Sequence, residues 1–281
     1  MILADARAEP KRTMNTMDMG LSLEFSAASL ENLYSKYNRR EFVHPDPLEF
    51  LYCYDSSSDR EIVGMVASSL AYGRVTQILR SVSLVLERMG PRPSRFLSDT
   101  PGEVLERTFR DFKHRFTTGR ELAALLIGMK RAVDRHGSLE TCFACGLKES
   151  DATVLPALGR FAEELAGGTH HPCNMFLPSP AKGSACKRLN LFLRWMVRCD
   201  CVDPGGWDRI SPSRLIVPLD VHMHRIALKL ELTKRRQADM RTALEVTEAF
   251  KTIHPLDPVR YDFSLTRLGI RQILDRSDFT H

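Results

Sequence analysis

The sequence predicts an all-α fold, and three observations carry that expectation. Apolar residues recur at three- and four-residue intervals through nearly every long stretch of the chain. Many of these stretches open at Ser, Asp or Pro, and several close at Gly, the residues that start and stop helices. No stretch shows the apolar–polar alternation of a half-buried strand, and no segment repeats.

Each element follows from its own residues. "SAASLENLYSKYNRR" has Ser26 or Ser29 as its cap. "DPLEFLYCY" places proline at the first helical position after Asp46. "SSSDREIVGMVASSLAYG" runs from capping serines to Gly73. "VTQILRSVSLVLERMG" stops at Gly90, before the breaker "PRPS". "GRELAALLIGMKRAVDRHG" is strongly amphipathic and closes at Gly137, and "ATVLPALGRFAEELAGG" is helical with Pro156 inside it. "THHPCNMFLPSPAKGS" is a Pro- and Ser-rich loop before the helix "ACKRLNLFLRWMVR". "CDCVDPGGWDRISPSRLIVP" is a connection holding a turn and one short extended piece. "DVHMHRIALKL", "ADMRTALEVTEAFKTI" and "DPVRYDFSLTRLGI" complete the helices.

A chain of 281 residues suits one large domain or two packed lobes. No run approaches the ~20 apolar residues of a membrane span. The opening "MILADARAEPKRTMNTMDMG" lacks the apolar centre of a secretion signal, so residues 1–25 are expected to be a disordered lead-in. Seven scattered cysteines, an odd number, point to reduced thiols in the cytoplasm. Cys142 and Cys145 form a C-x-x-C and Cys199 and Cys201 a C-x-C, but without a second C-x-x-C plain thiols are favoured over zinc.

Charge is unevenly spread. From Lys182 to Arg241 there are 13 Lys and Arg against 6 Asp and Glu, a net of +7. The remainder holds 27 against 29, a net of −2. All the positive excess therefore lies in one segment, which favours an anionic partner, nucleic acid first, over a merely solvated face.

On a helical wheel of "KRLNLFLRWMVR", Lys187, Asn190, Arg194 and Arg198 share a narrow sector opposite Leu189, Phe192, Leu193 and Met196. Such a stripe is commonly solvated. Here Lys187 stands in the first turn, where backbone N–H groups favour an anion, and Lys182, Gly183 and Ser184 precede it as further phosphate-gripping groups. Asp220 opens "DVHMHRIALKL" and makes a good N-cap, worth about 1 kcal/mol. Capping and chemistry are compatible, since a cap fixes the carboxylate in place. A metal site of Asp220, His222 and His224, joined by His170 and His171, is disfavoured because residues two apart on a helix point in different directions.

The combination of a lysine-bearing helix, a connection and then "PLDVHMHRIALKL" resembles the helix-hairpin-helix DNA glycosylase superfamily. The match looks closest to the oxidised-guanine version of its aspartate motif, with Asp220 as the aspartate. The spacing of 33 residues from Lys187 to Asp220 is similar to the archaeal 8-oxoguanine glycosylase branch, as is Arg194 seven residues after the lysine. Lys182 fits that position less well. "DREIVGMVASSLAYGRVTQIL" resembles the family's early helix pair, with Leu70, Tyr72, Gly73 and Arg74 at the turn that inserts into a duplex. "YDFSLTRLGI" resembles its closing helix, and the whole pattern resembles an uncharacterised bacterial family near this superfamily.

The resemblance implies two helical lobes, residues 60–195 forming the central one and 26–57 with 200–275 the second. A helix-hairpin-helix element and a cleft between the lobes go with them, within a single glycosylase-like domain of residues 26–281. It implies a Schiff-base Lys187, an electrostatic Asp220, and DNA contacts from Lys182, Gly183, Ser184, Arg188, Arg194, Arg198, Tyr72, Arg74, His222 and Arg225, with the Lys234-Arg235-Arg236 turn also holding phosphates. The implied partner is lesion-containing duplex DNA, bound by a monomer on the nucleoid without cofactor or membrane. Two departures stand out: "LPSPAKGSA" replaces the family's glycine-rich hairpin, and no cysteine follows Cys201 to hold an iron–sulfur cluster. Trp195, Trp207, Phe176 and Tyr72 are the aromatics that could sandwich a flipped base. Two other readings compete: a non-catalytic nucleic-acid binder on the same helices, and a metal hydrolase using Asp220 and the histidines.

Overall fold

The computed structural model describes residues 26–167 and 176–267. The expected lead-in, His170, His171, Cys173, and the closing Leu268 and Gly269 lie outside the described residues. The fold is all-α. In chain order the helices are α1 (Ala27–Tyr37), α2 (Ser57–Ser69), α3 (Val75–Met89), α4 (Pro93–Asp99), α5 (Gly102–Thr108), α6 (Gly119–His136), α7 (Leu139–Ala144), α8 (Leu155–Ala166), α9 (Lys187–Val197), α10 (Val221–Lys229) and α11 (Met240–Ile253). Residues 262–267 are helical as well. Among the described residues the only sheet pairs β1 (Lys113–His114) with β2 (Thr117–Thr118), antiparallel. No described helix is long and apolar enough to cross a membrane.

The local chemistry explains most boundaries. Ser26 caps α1 by accepting from the Ser29 backbone N–H. Thr118 and Glu121 form a capping box on α6, and Gly137 ends it at a left-handed φ of 84°. Pro156 lies in the first turn of α8, where its missing N–H removes no helical hydrogen bond. "DPLEFLYCY" forms a 3-10 helix, Pro47–Cys53, rather than an α-helix. Over seven residues the apolar spacing does not distinguish i→i+3 from i→i+4 bonding. The short α4, α5 and α7 are too brief to show a periodicity, and the two-residue strands too brief to alternate.

Two packing centres meet on α2. It packs against α9 and the Pro47–Cys53 helix, while α6 gathers α5, α7 and α8. Between them Phe143 meets Phe161, and Phe192 meets Trp207, edge to face, while the Phe161 and Phe192 rings lie parallel. α2 is buried continuously from Glu61 to Ser69, as befits a helix enclosed on all sides. Leu215, Ile216, Val217 and Leu219 form a buried extended run whose Val217 N–H donates to Thr247 Oγ1 at 3.0 Å. This run leads directly into Asp220.

Gly119 marks a close approach: a Cβ there would lie 1.7 Å from the Phe109 carbonyl oxygen. Neither backbone segment can yield without shifting α6. Gly119→Ala is expected to destabilise the fold by about 1–3 kcal/mol, read as a lower urea midpoint at unchanged m-value.

Candidate functional site

The site is built on the starts of two helices. Lys187 is the first residue of α9, and the residue before it, Cys186, holds a left-handed φ of 47°. That conformation costs a non-glycine residue about 1–2 kcal/mol. The Ser184 hydroxyl steadies it by accepting from the Cys186 N–H at 3.2 Å. Asp220 caps α10. Its Oδ1 accepts from the His222 and Met223 backbone N–H groups, each at 2.8 Å. Its Oδ2 lies 2.8 Å from Lys187 Nζ. One carboxylate thus starts a helix with one oxygen and pairs an amine with the other.

The two side chains are 33% and 22% exposed, sheltered but reachable from solvent. Burial pulls the Asp220 carboxyl upward, but the Lys187 charge and the hydrogen bonds from Lys187 and Met223 outweigh it, leaving its pKa below the usual value. A carboxylate depressed in this way keeps its charge through mild acid. Its contribution to stability is lost only as pH falls through the lowered value.

Behind the pair lies a buried ionic network. Arg194 Nε is 3.2 Å from Asp203 Oδ1, and Arg194 Nη1 bonds Asp262. Arg198 bonds the other Asp203 oxygen, Asp257 at 3.0 Å and Asp200 at 2.7 Å. Burial pushes Asp262 up to about 6 against the pull of Arg194, with the Asp220 charge adding to the rise. Between about pH 4 and 6 the folded protein therefore holds a proton that the unfolded chain has released. Stability from this group falls as pH rises through that window. Asp262→Asn is expected to flatten that part of the stability–pH curve, measured by urea unfolding at pH 4.5 and 6.5.

The structure corrects several sequence expectations. Arg194 and Arg198 are buried, their guanidiniums committed to carboxylates rather than offered to phosphates. Arg188 turns inward, donating to the Ser69 carbonyl at 2.9 Å and lying 5.2 Å from the Tyr72 ring centroid. Arg235 is drawn to Asp239 at 2.8 Å. Ser184 spends its hydroxyl on its own loop, while Lys182 and Gly183 are exposed. His222 and Arg225 are exposed on α10, but His224 is buried against the Arg235 carbonyl at 2.8 Å. No group of three His, Cys, Asp or Glu among the described residues could hold a metal ion. Trp195, Trp207 and Phe176 are core residues. Tyr72 donates to the His114 carbonyl at 2.9 Å, Leu70 is buried, and Arg74 alone of that turn's polar side chains is exposed beside Gly73.

Sequence reasoning missed Asp203, which folds back on α9 from the connection just after it, Asp262, which reaches α9 from a distant segment, and Phe116, an exposed aromatic that fits no periodicity.

The fold and site together define a class: an all-α protein with a sheltered lysine–aspartate pair at two helix starts and exposed cations around it. The chain belongs to the family described as "Protein of unknown function (DUF2400)", whose profile matches residues 46–271 and so spans both Lys187 and Asp220. No curated protein and no solved structure matches it.

Proposed function

We propose that the protein is a DNA glycosylase with AP-lyase activity, acting on a damaged base, an oxidised purine first among candidates. The observation that carries this reading is the 2.8 Å contact between Lys187 Nζ and Asp220 Oδ2. An amine and an acid 33 residues apart in the chain meet where one substrate atom can reach both.

The chemistry follows from that pairing. A base in a duplex is out of reach, so its nucleotide must turn out of the stack. As the glycosidic bond breaks, its electron pair leaves with the base, and the proton released by Lys187 balances the one the base takes up. Asp220 stabilises the cationic sugar, more strongly for being partly shielded from water. The free amine attacks C1′ of the sugar; its nitrogen passes a proton to the ring oxygen as the C1′–O4′ bond breaks, leaving a protonated Schiff base, and loss of a C2′ proton to water then expels the 3′ phosphate with its electron pair.

Cations for the phosphates are Lys182, Arg225, Lys229, Lys234, Arg236 and Arg241, all exposed, with Arg74 on another element. If about six of them engage, affinity is expected to fall about 10³-fold between 50 and 200 mM salt, measured by fluorescence anisotropy.

The test is a panel of duplexes carrying single damaged bases, assayed for strand nicking and for a borohydride-stable protein–DNA adduct. Nicking and adduct on at least one lesion support the proposal. Their absence on every lesion and on abasic sites, with undamaged duplex still bound, would favour a non-catalytic binder. That second reading draws on the cations of α10, none of which depends on Lys187. Asp220→Asn separates the two: a binder keeps its affinity, whereas an enzyme loses turnover.

A further inference from the structure

Between the end of α1 and the connection after α9 lies an open hollow of about 510 Å³. Sites for small molecules usually measure ~300–1,000 Å³. Cys201, an exposed free thiol, stands in its lining with Arg39 and Arg260. Arg260 lies over the Tyr34 ring, 3.7 Å from its centroid. It gives Nε and Nη2 to Glu31, which leaves Nη1 without a hydrogen bond among the described residues. Arg39 is held loosely, 3.8 Å from Glu41, and the two side chains are 61% and 63% exposed.

Two further features mark the hollow as a place for a guest. Asn38 lines it and is only 8% exposed. Its backbone N–H closes α1 on the Tyr34 carbonyl, but its side-chain amide has no hydrogen-bond partner among the described residues and is not sealed from solvent. A nearly buried, unpaired amide is a ready donor to whatever enters. Asp200, the only carboxylate among the described lining residues, has no oxygen to spare. Its Oδ2 accepts from the Tyr34 hydroxyl at 2.9 Å and from Arg198 at 2.7 Å, and its Oδ1 accepts from the Val202 and Asp203 N–H groups, each at 2.8 Å. The hollow therefore offers donors, and the guest it fits is anionic. It is separate from the lysine–aspartate pair. Arg198, which holds Asp200, closes the helix that Lys187 opens, and the 11 residues of α9 span about 16 Å.

We propose that Cys201 is a modification site that takes up one half of an acidic low-molecular-weight disulfide, whose carboxylates are received by Arg39, Arg260 and Asn38. The inference is independent of the function proposed above. The step is thiol–disulfide exchange. Cys201 Sγ gives its proton to water and attacks one sulfur of the disulfide as a thiolate. The new S–S bond forms as the old one breaks, and the other half leaves with the electron pair as its own thiolate. Cys201 is oxidised and the departing half is reduced, so no other oxidant is needed. Cys53, Cys145 and Cys199 are exposed as well, but none of them lines this hollow. Exposure does not distinguish Cys201 from them; the donors around it do.

The experiment treats the reduced full chain with three disulfides: glutathione disulfide, which is anionic, hydroxyethyl disulfide, which is neutral, and cystamine, which is cationic. Cys199 is replaced by serine throughout, because a thiol two residues away can displace the adduct. Initial rates at each cysteine are read by quenched alkylation and peptide mass spectrometry, with the exposed Cys145 as internal reference. The ratio of Cys201 to Cys145 is expected to be about 3- to 10-fold higher with glutathione disulfide than with hydroxyethyl disulfide, the size expected of one or two exposed ion pairs. With cystamine it should fall below the neutral value. Arg39→Gln is expected to cut the anionic excess at least about two-fold while leaving the neutral rate unchanged. Asn38→Asp, of the same size, puts a carboxylate into the hollow and should abolish the excess. Equal ratios for the three disulfides, a preference for cystamine, or an excess undiminished in Arg39→Gln would overturn the proposal. Arg39 is exposed and loosely paired, so loss of fold does not confound that arm.

Discussion

Lys187→Gln is expected to reduce borohydride trapping on lesion-bearing or abasic DNA to background while the protein stays folded. The lysine is partly exposed and its contact with Asp220 is a single ion pair, so its removal costs stability only about 1 kcal/mol or less. α10 keeps its start, because the capping oxygen of Asp220 is not the one that holds the amine. Loss of trapping with an unchanged melting curve would therefore report chemistry rather than unfolding. The partner substitution sharpens the point. Asparagine is as good an N-cap as aspartate, so Asp220→Asn preserves the helix start and removes the charge. Turnover should fall about 10²- to 10³-fold, with duplex affinity unchanged or slightly higher. Undiminished trapping in Lys187→Gln would move the nucleophile elsewhere, to the exposed Lys182 first.

Asp203→Ala is expected to destabilise the protein by about 3–5 kcal/mol, enough to threaten folding at ordinary temperatures. Asp203 is fully buried and holds both Arg194 and Arg198. Its loss leaves two buried guanidiniums sharing Asp262, Asp257 and Asp200. A urea titration measures the effect directly. Replacing Arg198 by methionine should be similarly costly, because it leaves acids unpaired. Yet the salt dependence of DNA binding by any Arg198→Met protein that folds should match wild type. A shallower salt slope in that variant would return Arg198 to the phosphate-binding set.

The long helices could be read from the chain because each carries its own periodicity and its own stop and start residues. Asp220 as a cap was equally plain, since its two N–H partners lie within three residues. The polar stripe of α9 was visible but its meaning was not. A wheel places Lys187, Arg194 and Arg198 together whether they face water, phosphate or carboxylate. Asp203 doubles back from an aperiodic connection just past the helix, and Asp257 and Asp262 arrive from far along the chain, beyond the reach of any local pattern. Lys187 therefore sits at the accessible end of the stripe while the two arginines are sealed inside. The hairpin escaped notice for a different reason: strands of two residues have no alternation to detect, and an outward phenylalanine between arginine and threonine looks like any loop residue.

The buried arginines have a further consequence for motion. They fasten the far end of α9 to two separate stretches of the chain, around Asp200 and Asp203 and around Asp257 and Asp262, so the amine at its near end stands on a stiff post. Such a group cannot chase its target. On the proposed chemistry the substrate has to come to it, and selection among targets then depends on how readily each one gives way.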